Sequence, residues 1–316
     1  MDIAGEVFLA EKVIRPYIRE TYLEYSPFYS RMTGAQVYFK LENLQHTGSF
    51  KLRGAMNKLL SLTDEEKGRG VVTASTGNHG AAFAFGLSKV GGSGVVFVPE
   101  KASRTKVEAI ERLGVEVRYV GNDSAETETH ARQYAEKNKM THMPPYNDVK
   151  VIGGQGTIAV ELTKQLDQID AVFVALGGGG MISGIGGFLK SQSAGVQIIG
   201  CSPQNSQVMI QSVRAGKVLD LPSLPTLSDG TAGGIEPGSI TLDLCREFVD
   251  DYITVTEEEI KESLREFIQT QHMLIEGSAA VAVTAFKKQA ARFAGLNVVV
   301  VICGGNISLE TLKTIL

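Results

Sequence analysis

The run Ala171-Val172-Phe173-Val174-Ala175-Leu176-Gly177-Gly178-Gly179-Gly180-Met181 reads as a strand, a glycine turn and the start of a helix. Six apolar residues in succession fit a strand covered on both faces, and the helical pattern resumes near Ile182. This is the repeating unit of an α/β protein with a parallel sheet. Outward from it, further β-branched runs predict strands at Val37–Leu41, Val71–Thr73, Val95–Val98, Val115–Val120, Val196–Cys201 and Val298–Cys303. Between them Val107, Ile110 and Leu113 recur at helical spacing after Ser103, a candidate N-cap. Ile158, Leu162 and Leu166 do so after Gly154-Gln155-Gly156-Thr157. Two crossover systems result, joined near Met143-Pro144-Pro145, where consecutive prolines interrupt regular structure. The expected fold is α/β, with two open, mostly parallel twisted sheets covered by helices. If the N-terminal segment packs back on the second unit, a larger domain, residues 1–42 and 144–316, carries an inserted smaller domain, residues 43–143, across a cleft.

The chain has 316 residues, room for about two domains. Its 35 glycines, about 11% against a usual 7% or so, show no G-X-Y period, so they serve turns or close backbone approach rather than a triple helix. Lys and Arg number 31 against 35 Asp and Glu, a net charge of −4 without a basic block, which argues against nucleic acid or an anionic membrane as partner. Cys201, Cys245 and Cys303 are odd in number and never form a CxxC pair, and the histidines show no ligand spacing, so neither disulfides nor a metal site is expected. The acidic N-terminus lacks a signal peptide's pattern and the Val298–Cys303 run is too short to span a membrane. A soluble, cytoplasmic protein is expected.

In open α/β sheets ligands bind beyond the carboxyl ends of strands, and four loops there are chemically unusual. In Thr47-Gly48-Ser49-Phe50-Lys51, Ser49 is a candidate cap, and Lys51 falls in a first helical turn, where the helix dipole favours the neutral, nucleophilic amine. An ordinary solvated lysine is the competing reading. Ala74-Ser75-Thr76-Gly77-Asn78-His79-Gly80 presents backbone N–H groups at a helix start, fit for an anion or simply a capping turn. The tetraglycine Gly177 to Gly180 fails the dinucleotide spacing: Ser183 stands where a third glycine or alanine belongs, and Ser202-Pro203-Gln204 offers no acid for a ribose. A smaller phosphate fits it better. Cys303-Gly304-Gly305-Asn306 ends the most apolar strand, where a cysteine commonly serves as a small hydrophobe.

Together, a lysine, an anion loop and a glycine cradle could hold a phosphorylated aldehyde as a Schiff base. The chain resembles the fold type II pyridoxal-phosphate enzymes, in particular the serine/threonine dehydratase and serine racemase group. The resemblance rests on Thr47 to Ala55, Ser75-Thr76-Gly77-Asn78-His79-Gly80, Gly154-Gln155-Gly156-Thr157, Gly177 to Gly180, Ser228-Asp229-Gly230, Glu276-Gly277-Ser278-Ala279-Ala280 and Cys303-Gly304-Gly305-Asn306. It implies pyridoxal 5'-phosphate carried on Lys51, whose freed amine removes the Cα proton. It also implies Phe50 and Gly230 flanking the ring, Asn78 on the ring hydroxyl, and Gly177, Gly178, Gly179, Gly180 and Met181 on the phosphate. Ser75, Thr76, Gly77 and His79 would hold the substrate carboxylate, Tyr146 would lie beside the cofactor, and Cys303 would face the pyridine nitrogen.

A neutral thiol cannot hold that nitrogen protonated as a carboxylate does, so the ring is a weaker electron sink, which suits β-elimination. Similar racemases carry serine at the position of Thr76 and acidic cation ligands where Ser202 and Val208 stand here. Threonine is stiffer, and valine is no ligand for a hard cation. With only a short helix predicted beyond Cys303, no regulatory domain like that of biosynthetic threonine dehydratases is expected. The expectation is a dimeric ammonia-lyase converting L-threonine, L-serine or a related β-hydroxy amino acid to a 2-oxo acid and ammonia, with no metal. The alternatives are an amino-acid racemase of the same fold and a non-catalytic pyridoxal-phosphate-binding protein.

Overall fold

A computed structural model describes residues 1–102 and 104–316. Ten strands follow in chain order: β1 (Leu23–Tyr25), β2 (Gln36–Leu41), β3 (Val71–Ala74), β4 (Gly94–Val98), β5 (Glu116–Tyr119), β6 (Thr141–His142), β7 (Ala171–Ala175), β8 (Gln197–Pro203), β9 (Asp251–Val255) and β10 (Asn297–Ile302). They form a six-stranded sheet ordered β1-β2-β10-β7-β8-β9 and a four-stranded sheet ordered β5-β4-β3-β6. Every pairing is parallel except β1 with β2. All seven expected strands form, and β1, β6 and β9 are added to them. The additions are a three-residue edge strand, a two-residue strand and a half-exposed edge, none of which carries an apolar run.

Each sheet has a point where successive strands depart to opposite sides. In the large sheet it lies between β7 and β10, since β8 and β9 continue on the far side of β7. In the small sheet it lies at β3, flanked by β4 and β6. Such points leave a crevice beyond the carboxyl ends of the strands. The loops leaving β7, β10 and β3 are Gly177–Gly180, Cys303–Asn306 and Ser75–Gly77, the three read from the sequence as anion or cofactor loops.

The large sheet is buried on both faces: Ala171, Val172, Phe173 and Val174 of β7 and Val298 to Ile302 of β10 are all fully enclosed. Two further apolar clusters cover the small sheet's faces, and Ile14 and Ile18, from the N-terminal segment, join one of them. At its centre the helix Val149–Gln165 runs straight through Gly154-Gln155-Gly156-Thr157, a stretch expected to precede a helix. The reason is contact. A Cβ on Gly154 would sit 2.4 Å from the Arg53 carbonyl oxygen, and one on Gly156 would sit 2.8 Å from that of Gly184. These glycines let the helices Lys51–Leu60 and Gly180–Gln192 approach backbone to backbone, which outweighs their low helix propensity.

Where those helices meet lies an enclosed ion cluster. Arg53 donates two hydrogen bonds to Glu42, both at 2.8 Å, and two to Glu161, at 2.7 and 2.8 Å. Lys40 Nζ donates to Glu161 at 2.6 Å and to the Thr21 carbonyl at 2.7 Å. All four charged side chains are fully buried. Burial would raise the Glu161 carboxyl, but Arg53 and Lys40 outweigh it and bring it down to about 2. The helix that begins at Lys51 is therefore tied to the large sheet two residues after the lysine.

Candidate active site

A cavity of about 430 Å³ lies between the two sheets and is lined by all fifteen residues read from the sequence as site residues. It reaches from Phe50 and Lys51 through Ser75, Thr76, Gly77, Asn78 and His79 to Tyr146. The far wall consists of Gly177, Gly178, Gly179, Gly180, Met181, Gly230 and Cys303.

Lys51 is the first residue of the helix Lys51–Leu60, whose N-terminus has no side-chain cap. Ser49, expected to cap it, does not. It pairs across a short antiparallel bridge with Gly304, the Phe50 N–H donates to the Cys303 carbonyl at 3.0 Å, and Gly305 N–H donates to the Gly48 carbonyl at 2.9 Å. That bridge clamps the Lys51 loop to the Cys303 loop and leaves the Ser49 hydroxyl buried without a hydrogen-bond partner among the described residues. Lys51 Nζ donates to the Pro145 carbonyl at 2.9 Å and lies 5.3 Å from the Phe50 ring centre. Burial lowers its ammonium to about 8, although Cys303, Glu276 and Glu128 pull the other way. In the cofactor-free protein, Lys51 should thus react with an acylating reagent with a midpoint near pH 8, while exposed lysines label near their ordinary value of about 10.4. Peptide mass spectrometry over a pH series reads this directly, and a Lys51 midpoint above 10 would contradict it.

Besides the Lys51–Leu60 helix, the helices Asn78–Val90, after Gly77, and Gly180–Gln192, after Gly179, turn N-termini without side-chain caps to the cavity. Elsewhere, helices that follow Thr63 and Thr256 carry complete capping boxes. The cavity-facing ends therefore keep backbone N–H groups for an anion. Gly179 adopts φ +85°, a conformation that favours glycine. Its neighbours are glycine for space, since a Cβ on Gly178 would fall 2.4 Å from the Tyr146 ring and one on Gly177 2.9 Å from Thr231. Tyr146 is held in turn by the Glu236 N–H, which donates to its hydroxyl at 3.0 Å.

His79 is buried with Nε2 at 3.3 Å from the Met143 carbonyl, and burial and Lys51 hold its imidazole neutral, at about 3. Asn78 donates through Nδ2 to both oxygens of Glu276 at 3.0 Å and accepts at Oδ1 from Asn306 at 2.7 Å, which fixes its amide orientation. Cys303 Sγ lies 3.9 Å from Glu276, and burial pushes its thiol well above its usual value. Glu276 was not singled out as a site residue from the sequence. It has no basic partner within ion-pair range among the described residues; burial raises its carboxyl despite the Asn78 hydrogen bond. Its one signal is a carboxylate opening the small-residue helix Gly277–Gln289. Glu128, Lys106, Asp229 and Asn306 also line the cavity; Asp229 and Asn306 fall within the quoted motifs Ser228-Asp229-Gly230 and Cys303-Gly304-Gly305-Asn306, whereas nothing local in the sequence marks Glu128 or Lys106.

Among the described residues no group of three or more His, Cys, Asp or Glu side chains could hold a metal ion, and no helix is long and apolar enough to cross a membrane.

A two-sheet α/β fold with a half-buried lysine, an uncapped glycine cradle and a second anion loop defines the pyridoxal-phosphate-dependent enzymes of this fold type. A family model described as pyridoxal-phosphate dependent enzyme matches residues 14–304, and the chain belongs to that family. It is similar to the L-threonine ammonia-lyase of Thermotoga maritima, 37% identical over 307 residues that cover 97% of this chain and 76% of that one. It is 36% identical to the L-threonine dehydratase catabolic TdcB of Escherichia coli K12, covering 98% and 94% of the two chains. Among solved structures it is similar to the serine racemase of Dictyostelium discoideum, with a TM-score of 0.90 and 32% identity over 97% of this chain and 99% of that one.

The residues present fit the cofactor of that family. A glycine cradle that side chains would fill, an uncapped helix N-terminus for a phosphate and a half-buried amine with a lowered pKa meet in one cavity of suitable size.

Proposed function

We propose that this protein is a pyridoxal-phosphate-dependent ammonia-lyase that converts L-threonine, L-serine or a closely related β-hydroxy amino acid to a 2-oxo acid and ammonia. The observation that carries the reading is the half-buried Lys51 amine, its ammonium lowered to about 8 by desolvation, in one cavity with the uncapped helix N-termini at Asn78 and Gly180. Bound pyridoxal phosphate supplies the electron sink that makes the substrate's Cα proton removable.

The chain's own residues do the rest. Gly177 to Gly180 and Met181 bind the phosphate through backbone N–H groups, and Phe50 and Gly230 enclose the ring. Asn78, its amide fixed by Glu276 and Asn306, donates to the ring hydroxyl, and Cys303 meets the ring nitrogen as a neutral thiol. Ser75, Thr76, Gly77 and His79 hold the substrate carboxylate at the start of the helix Asn78–Val90, with Tyr146 alongside. Lys51 Nζ takes the Cα proton, and the β-hydroxyl leaves as that proton is lost. Residues 43–143 act as a unit that closes on the remainder. Support for this comes from two ion pairs, Lys106 with Asp229 and Arg132 with Glu236, that join helices of that unit to the 229–236 segment.

Homologues named for threonine dehydration favour elimination, as does Thr76, and the racemase reading stands behind it. Incubation of the holoenzyme with L-threonine and L-serine, with 2-oxo acid, ammonia and product chirality all measured, tests the assignment. Stoichiometric 2-oxo acid and ammonia are expected, and D-serine formed faster than pyruvate would overturn it. Exposed apolar side chains on the first helix, Phe8, Leu9 and Val13, support a homodimer, which sedimentation at about twice the 33.9 kDa chain mass would show. Three unpaired, buried cysteines fit a reducing, cytoplasmic setting.

A further inference from the structure

Beyond the groups that hold the cofactor and the amino-acid carboxylate, the cavity carries a set of charges that the reaction itself does not use. Glu128 lines it from the helix Ser124–Lys137, and its charge acts on both Lys51 and Tyr146. Its partner is Arg132, one turn along, at 2.9 Å, but Arg132 is shared with Glu236. Glu236 keeps its other oxygen buried and unpartnered among the described residues. Two carboxylates on one guanidinium leave one net negative charge. Of the lysines lining the cavity, Lys51 serves the reaction and Lys106 is paired with Asp229 at 2.7 Å. Among the described residues no lysine or arginine lining the cavity is thus free to receive a second substrate carboxylate.

Building on the proposed reaction, we infer that the side-chain end of this cavity takes uncharged β-substituents, and that Glu128 is the specificity-determining residue that rejects a β-carboxylate. A substrate such as 3-hydroxyaspartate would bring its second carboxylate beside Glu128 with Arg132 already engaged. Like charges brought together out of bulk water are strongly disfavoured. L-Serine and L-threonine bring no such charge.

The test compares kcat/KM of the holoenzyme for L-serine and for L-threo-3-hydroxyaspartate. A preference for serine of about a hundredfold or more is expected. Glu128→Gln should narrow that ratio about tenfold. Arg132→Gln removes the shared cation and should widen it, so the two variants move the ratio in opposite directions. Hydroxyaspartate turnover within tenfold of serine in the wild type would overturn the inference, as would variants that leave the ratio fixed or shift it in the same direction. If no β-hydroxy amino acid is turned over, the proposed reaction fails, and the inference is decided by binding alone. L-Alanine and L-aspartate titrated against the bound-cofactor absorbance should then show the same preference for the uncharged side chain and the same opposed shifts. Equal affinities would overturn it.

Discussion

Lys51→Ala is expected to lower kcat for 2-oxo acid release by about a thousandfold or more while leaving the fold intact. Positioned proton transfer alone is worth roughly 10²–10⁴ in rate, and loss of the covalent anchor adds to that. Among the described residues the amine is the only lysine or arginine group lining the cavity that is not paired to a carboxylate. Its one hydrogen bond goes to the Pro145 carbonyl, so removing it leaves no buried carboxylate uncompensated. Unchanged thermal unfolding with lost turnover and lost near-visible absorbance is the predicted outcome. Retained turnover would remove Lys51 from the reaction.

The second large effect is on stability. Arg53→Met should destabilise the protein by roughly 3–5 kcal/mol, the usual cost of removing one partner from an enclosed ion pair. Glu42 accepts from Arg53 through both oxygens, and without it that carboxylate stays buried with no cation at that distance. Denaturant unfolding at neutral pH measures the change, and a loss below 1 kcal/mol would mean that the cluster relaxes around the gap. The wild-type cluster also sets a pH dependence. The folded Glu161 carboxyl titrates at about 2, below its ordinary 4.5. Its contribution to stability is complete above pH 4.5 and is lost as the pH falls through about 2. Because Arg53 lies two residues beyond Lys51, the variant should also bind cofactor more weakly.

These two residues mark how far the sequence could be read. Lys51, Asn78, the tetraglycine and Cys303 stand near the ends of strands whose apolar runs are plain, so their loops were legible, whereas the strand order that brings them together was not. Glu161 and Arg53 are 108 residues apart and Lys40 and Glu161 are 121 apart; nothing local links them, and only the fold brings them together. Gly154 to Thr157 hid a helix because glycine disfavours one, and the compensating gain is a crossing with Arg53 and Gly184 that no single segment reveals. Ser49 looked like a cap because serine so often is one. The Gly304 bridge had already committed its backbone. The expected cap Ser103 lies outside the described residues. Glycine likewise turned out to have two uses: a cofactor cradle at 177–180 and close helix contact along Val149–Gln165.

The identity of the active site turns on which amine carries the cofactor. Borohydride reduction of the holoenzyme followed by peptide mass mapping should place a single pyridoxyl group per chain on Lys51. A group on any other lysine, or cofactor bound with no reducible linkage, would contradict the assignment of this cavity as the active site.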